Sequence, residues 1–157
     1  MTVAAGAPDA KVGSNAQQGA AYMFTSSVPF MSFNASKLKI TLGPPSHFAL
    51  NSCFILGGAS DGINPLTDPV TLKIGSLSLT IPAGSFHLQH KRSNVYVFSG
   101  EVGGFTVNAK FENTDFYYWT FKANGSSPNG LSITNPVTVT LSIGNDSGTK
   151  TETVPIN

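Results

Sequence analysis

The run Thr134-Asn135-Pro136-Val137-Thr138-Val139-Thr140-Leu141-Ser142-Ile143-Gly144 decides the fold of this chain. Its apolar residues alternate strictly with polar ones. Successive side chains of a strand point to opposite faces, so this pattern describes a strand with one buried and one wet face. Proline at the head brings no N–H to the ladder and is tolerated at a first strand position, and glycine ends the run. The same design occurs earlier, as Thr67-Asp68-Pro69-Val70-Thr71-Leu72-Lys73-Ile74-Gly75. Two copies of one half-wet strand favour an antiparallel architecture, because parallel sheets are covered on both faces.

The echo extends outward. A displacement of 67 positions carries Val28, Phe30 and Ser32 onto Val95, Val97 and Ser99, and Leu38, Ile40 and Leu42 onto Phe105, Val107 and Ala109. It also carries Leu50, Phe54 and Gly58 onto Tyr117, Phe121 and Gly125. The displacement becomes 69 at Leu72/Leu141 and Ile74/Ile143, and 73 where Thr80-Ile81-Pro82 meets Thr153-Val154-Pro155, which calls for a longer final turn in the second copy. An insertion of two residues leaves the inside/outside phase intact, whereas one residue would reverse it. The pattern predicts strands near 28–34, 37–42, 48–56, 69–75 and 77–82, and again near 95–102, 105–111, 116–124, 136–143 and 149–156. Gly103-Gly104 reads as a two-residue hairpin turn, Gly43-Pro44-Pro45-Ser46 as a break, and Asn145-Asp146-Ser147-Gly148 as the last turn. No window has a sustained helical period.

The expected fold is all-β: an antiparallel β-sandwich or flattened barrel of about ten strands, built from two duplicated five-strand halves (about 28–86 and 95–157). The halves are expected to pack face to face about a pseudo-two-fold axis. Residues 28–157 form one duplicated domain, and residues 1–27 an N-terminal segment that is one strand or a flexible lead-in. Alternation assigns Leu38, Ile40, Leu42, Val70, Leu72, Ile74, Leu77, Leu79, Ile81, Phe105, Val107, Val137, Val139, Leu141 and Ile143 to the core. Lys37, Lys39, Thr71, Lys73, Thr106, Asn108, Thr138, Thr140 and Ser142 are assigned to water.

Composition agrees with this class and removes others. Only 11% of the 157 residues are charged, and Gly (16) and Pro (10) are abundant, as in all-β chains rich in turns. The net charge is +1 with the nine basic residues scattered, so there is no electrostatic footprint for nucleic acid. No 18-residue apolar window exists to span a membrane, and the start lacks the basic and apolar regions of a signal peptide. Cys53 is the single cysteine, which excludes an intrachain disulfide.

Two stretches carry family resemblances. Gly6-Ala7-Pro8-Asp9-Ala10-Lys11-Val12-Gly13-Ser14-Asn15-Ala16-Gln17-Gln18-Gly19-Ala20-Ala21-Tyr22-Met23-Phe24 resembles the last part of an FG-GAP repeat, the blade unit of integrin-like propellers. The Asp-rich calcium loop of such blades is missing here, so the resemblance transfers no calcium site. From Phe48 onward, Gly57-Gly58-Ala59-Ser60-Asp61-Gly62-Ile63-Asn64-Pro65-Leu66, Thr80-Ile81-Pro82-Ala83-Gly84-Ser85-Phe86, Val97-Phe98-Ser99-Gly100 and the two Pro-Val-Thr strands resemble an uncharacterised bacterial module at the ends of large extracellular repeat proteins. The resemblance implies an extracellular or cell-surface setting and no activity.

Four sets of residues could carry chemistry. His47, His87 and His90 would suit a zinc-dependent hydrolase, with three imidazoles and an open water position, if the chain brought them together. The bland reading is loop histidines beside the basic turn Lys91-Arg92. Asp61, Asn64 and Asp68 lie in a Gly-rich loop and could offer oxygen ligands to calcium, although Asp before Gly and Asp before Pro are also ordinary turn residues. Cys53 sits within a strand and reads as inert packing. The aromatic strand Phe116-Tyr117-Tyr118-Trp119-Thr120-Phe121 puts rings on both faces, so Tyr96, Tyr118, Trp119 and Lys122 are the candidate binding residues for a carbohydrate or a neighbouring protein domain. The N-terminal Tyr22, Met23 and Phe24 could instead cover that face. A non-enzymatic extracellular structural or binding module is the leading reading, with no cofactor expected. The metal-dependent hydrolase is the alternative, and self-association through an edge strand a third possibility.

Overall fold

The alternating runs become strands wherever one of their faces can be buried. The structure, a computed structural model, describes residues 26–157 in full and the backbone of 2–7 and 20–25. In chain order the strands are β1 (Thr2–Ala7), β2 (Ala20–Thr25), β3 (Val28–Pro29), β4 (Ser32–Asn34), β5 (Lys39–Thr41), β6 (Ser46–Ile55), β7 (Val70–Ile74) and β8 (Leu77–Ile81). They continue with β9 (His87–Leu88), β10 (Val95–Val102), β11 (Phe105–Asn113), β12 (Tyr118–Ser127), β13 (Val137–Ile143) and β14 (Asp146–Glu152). β1 and β2 pair with each other. The side chains of residues 1–25, including Tyr22, Met23 and Phe24, lie outside the described set, as does most of the propeller-like stretch.

Two sheets form an open sandwich, not a closed barrel. One has five strands in the order β3-β14-β13-β7-β8. The other has seven, β4-β6-β12-β11-β10-β9, with β5 also beside β6. Every pairing in them is antiparallel except β14 with β3. Described residues contain no helix.

The core is the one that alternation names. All the expected inward residues are buried except Leu42 and Leu77, which pack at its margin, and the expected polar neighbours face outward. Between the sheets, Phe54 stacks on Phe30 at 4.4 Å and meets the edge of Phe111, which packs on Phe121 at 4.5 Å and Phe86 at 5.3 Å. Each such buried ring contributes about 1.5–3 kcal/mol of transfer free energy. On the wet face of the five-stranded sheet, directly paired threonines bond through their hydroxyls: Thr71 with Thr80 at 3.0 Å, Thr138 with Thr151 at 2.9 Å and Thr140 with Thr149 at 3.0 Å. Such cross-strand pairs fix register.

The halves are related differently from the expectation. They do not stack face to face; each divides itself between the two sheets. They meet side by side, through β6–β12 in one sheet and β7–β13 in the other. Equivalent residues face each other there, Cys53 opposite Thr120 and Leu72 opposite Leu141, as a two-fold axis through the sandwich requires. The displacement of 67 fails at the second strands: Ile40 pairs with Phe48, whereas Val107 pairs with Gly125 and not with Asp115. The predicted first strand, 28–34, splits because the chain changes sheets within it. The Phe30 amide still donates to Ser147 of the five-stranded sheet, and the next amide, Met31, donates to Ile55 of the other.

The last hairpin corrects a second expectation. Its turn is Gly144-Asn145, and Asp146, Ser147 and Gly148 belong to strand β14. The first copy turns the same way at Gly75-Ser76. The leading glycines have φ of 55° and 57°, the conformation a type II′ turn needs at its first central residue. The displacement therefore stays at 69, and Asp146 and Gly148 occupy the positions of Leu77 and Leu79. Gly103-Gly104 forms the expected two-residue hairpin, with φ of 56° and 79°.

Candidate functional site

The loops at one end of the sandwich build the site. Residues 56–68 form a loop tied by its own polar groups. The Asn64 side chain accepts from the Leu66 amide at 3.1 Å, the Asp68 carboxylate accepts from the Asn64 amide at 2.6 Å, and the Ser60 hydroxyl accepts from the Gly62 amide at 3.1 Å. Asn64 and Asp68 thus hold the loop's shape, the ordinary work of Asx residues in turns. Gly57 lets the loop pass against the Pro29 carbonyl, where a Cβ would collide.

Opposite lies the β11–β12 turn. The Asp115 carboxylate accepts from the Phe116 amide at 2.6 Å, and the Asn113 side chain donates to the Asp115 carbonyl at 2.8 Å. This turn holds Phe116 and Tyr117 out of the core, 75% and 55% exposed, with their rings edge to face at 4.9 Å. Met31 is 70% exposed beside them. A cleft of about 400 Å³ runs between the turn and the loop, lined by Met31, Ile55, Leu56, Ser60, Asp61, Phe116 and Tyr117 among others. A second cavity of about 260 Å³ shares Leu56, Gly62 and Phe116 with it and adds Asn94, Asn113, Tyr96 and Trp119. The Trp119 ring lies 6.0 Å from Tyr96, and its indole N–H is buried without a partner.

The four candidate binding residues fall into two groups. Tyr96 and Trp119 share the inner face and line that second cavity. Tyr118 and Lys122 point to the outer face of the seven-stranded sheet. Hydrogen bonding to the Cys53 thiol, and then the charge on it, holds the Tyr118 hydroxyl above the usual phenol range. Lys122 shares a cross-strand row with Lys110, Val97 and His87, along a shallow groove of about 390 Å³. Beside this row Lys110 pairs with Glu112 at 2.9 Å, and that hydrogen bond, with the lysine's charge, lowers the glutamate's pKa.

The histidines do not converge. His47 is on β6 and His87 on β9, four strand spacings apart in one sheet, or about 19 Å. His90 is in the loop after β9. Among the described residues no three His, Cys, Asp or Glu side chains stand together as a metal-ligand group. The hydrolase alternative therefore lacks an assembled centre.

Three features escaped the sequence reading. Phe116 and Tyr117 look like the start of a strand, but the turn-forming Asn113-Thr114-Asp115 ahead of them moves that start to Tyr118. Met31 enters the site only because the chain changes sheets beside it. Asp146 is fully buried at 0% exposure, and neither carboxylate oxygen has a partner. Burial pushes its pKa up; the Ser60 hydroxyl draws it down, and the charges of Asp61 and Asp68 raise it again. Its signal is its place in the repeat, where the first copy has Leu77, and reading Asp146 as a turn residue conceals it. No protein-family model matches the chain, and no curated protein or solved structure matches it either.

Proposed function

We propose that the chain is a non-enzymatic binding module that takes a carbohydrate at the loop end of its sandwich. The observation that carries this reading is the pair of adjoining cavities, walled by Phe116, Tyr117, Tyr96 and Trp119 and edged by the Asn94 and Asn113 amides. Aromatic planes cover the C–H faces of sugar rings, while side-chain amides meet hydroxyl groups. Two joined cavities suit a chain of sugars better than a single ring. The resemblance to bacterial surface modules supports an extracellular setting, where such ligands are abundant.

A glycan array followed by calorimetry tests the proposal. The expected result is binding of at least one oligosaccharide class, lost in Tyr117→Ala and weakened at least tenfold in Phe116→Ala, with Tyr118→Ala on the outer face unaffected. Silence of the wild-type protein across the array, or binding that survives both substitutions, overturns it. Concentration-dependent light scattering abolished by Phe116→Ala would assign the same patch to self-association instead.

A further inference from the structure

We propose that Asp146, together with Asp61, Asp68 and Ser60, binds a divalent cation of the calcium type that fastens the 56–68 loop to the β13–β14 hairpin. The starting point is a carboxylate in the wrong place. Asp146 fills a position that is leucine in the first copy, is 0% exposed, and has both oxygens unpartnered. An uncompensated buried carboxylate costs several kcal/mol, and native chains resolve this by pairing the group or by metal coordination.

Among the described residues neither carboxylate oxygen of Asp146 has a hydrogen-bond or ion-pair partner. Neither of the ion pairs in the described residues includes Asp146, and the one positive charge acting on it is that of the N-terminus, the weakest of the influences on its pKa. The loop groups that act on its charge are Ser60, Asp61 and Asp68, a hydroxyl and two more carboxylates. Asp68 also lies against Gly144, two residues before Asp146, with its Cγ 3.4 Å from where a Cβ would stand. The Gly144 amide donates to the Pro69 carbonyl at 3.0 Å, which fixes the hairpin to the end of the same loop. Hard oxygen donors with a surplus of negative charge are what calcium takes, completed by carbonyls and water.

Among the described residues no three acidic side chains already form a ligand group, so the proposed site requires the exposed carboxylate of Asp61 to move inward. Cation binding is thus a closing step for the loop. Because Ser60, Asp61 and Gly62 also line the larger cleft, the ion would set the position of one cleft wall. The inference stands apart from the carbohydrate proposal, since calcium alone is the probe.

The test is thermal unfolding and calorimetry of the full chain, stripped with chelator and titrated with calcium chloride, with magnesium chloride as comparison. The expected result is a Kd on the order of 10⁻⁴–10⁻³ M, as in extracellular modules. Tm should rise by roughly 5–10 °C at a hundredfold excess over that Kd. Magnesium should bind at least tenfold more weakly. Asp146→Asn should abolish the calcium-dependent rise, and Asp61→Asn should weaken it at least tenfold; the exposed Asp61 variant keeps the test decisive if the buried one fails to fold. Absence of any heat or Tm change in the wild-type protein at millimolar calcium overturns the proposal. So does a full calcium response in either variant.

Discussion

Replacing Asp146 by Asn should stabilise the protein at neutral pH when no divalent cation is present. In chelator the buried carboxyl must either stay ionised without a partner or keep its proton. Burial, reinforced by Asp61 and Asp68 and set against the Ser60 hydroxyl and the N-terminal charge, raises its folded pKa above the unfolded value of about 3.9. The unfolded chain then releases this proton first as pH rises. Stability is therefore undiminished below about pH 3.9 and falls as pH climbs from there toward the folded pKa. At 1.36 kcal/mol per unit, a carboxyl held wholly neutral to pH 7 costs about 4 kcal/mol, which is the upper bound. Asparagine cannot ionise; its unpartnered amide costs about 1–3 kcal/mol, a burden the protonated carboxyl shares. The expected gain at pH 7 is positive and at most about 4 kcal/mol, shrinking toward zero near pH 4. Urea denaturation of both proteins in chelator at the two pH values measures it, and Glu112, whose lowered pKa works in the opposite sense, is common to both and cancels. A variant less stable than wild type at pH 7, or a gain that does not change with pH, would refute the argument.

Three further substitutions test the frame. Phe54→Ala removes a ring 1% exposed that packs on Phe30 and Phe111, and should cost about 3–5 kcal/mol in urea denaturation. Gly125→Ala drives a methyl into the buried Phe48 ring and should lower stability by about 1–3 kcal/mol, with partial recovery in the double variant carrying Phe48→Leu. Asn135→Ala deletes a side chain that both donates to the Val154 carbonyl at 2.8 Å and accepts from its amide at 3.0 Å, and should cost about 1–3 kcal/mol with early exchange of the Val154 amide by NMR.

Most of the fold was legible because side-chain alternation reports directly on which face is buried. Val137 to Ile143 and Val70 to Ile74 name their inward residues without any knowledge of what covers them. What alternation does not carry is which sheet a strand joins. Both halves place three strands in the seven-stranded sheet (β4–β6 and β10–β12, with β9 added at the edge) and a hairpin in the five-stranded one (β7–β8 and β13–β14, with β3 added at the edge), and nothing in the pattern of β6 or β12 says that they pair. The short crossing at Phe30-Met31 is equally silent, since two residues of extended chain look alike whether or not they change partners. At the site, Tyr96 and Trp119 were recognisable as aromatic and their shared cavity was not, because it depends on the 56–68 loop. The outward position of Tyr118 and Lys122 follows from parity with Thr120 alone.

The repeat gains its meaning where its copies disagree. Both final hairpins turn on a glycine of nearly the same φ and both lie beside the central β7–β13 pair, so the backbone asks the same of each. The first answers with Leu77 and Leu79, the second with Asp146 and Gly148. Gly148 has a packing reason: a Cβ there would strike Phe30 and Phe33, and the space it leaves admits the Phe30–Phe54 stack. Asp146 has none. Leucine serves in the equivalent position, the sheet needs no charge there, and among the described residues the carboxylate has no hydrogen-bond partner. A buried carboxylate without a hydrogen-bond partner is the ground for the proposed cation, and Ser60, Asp61 and Asp68 are the loop groups that could complete its oxygen shell.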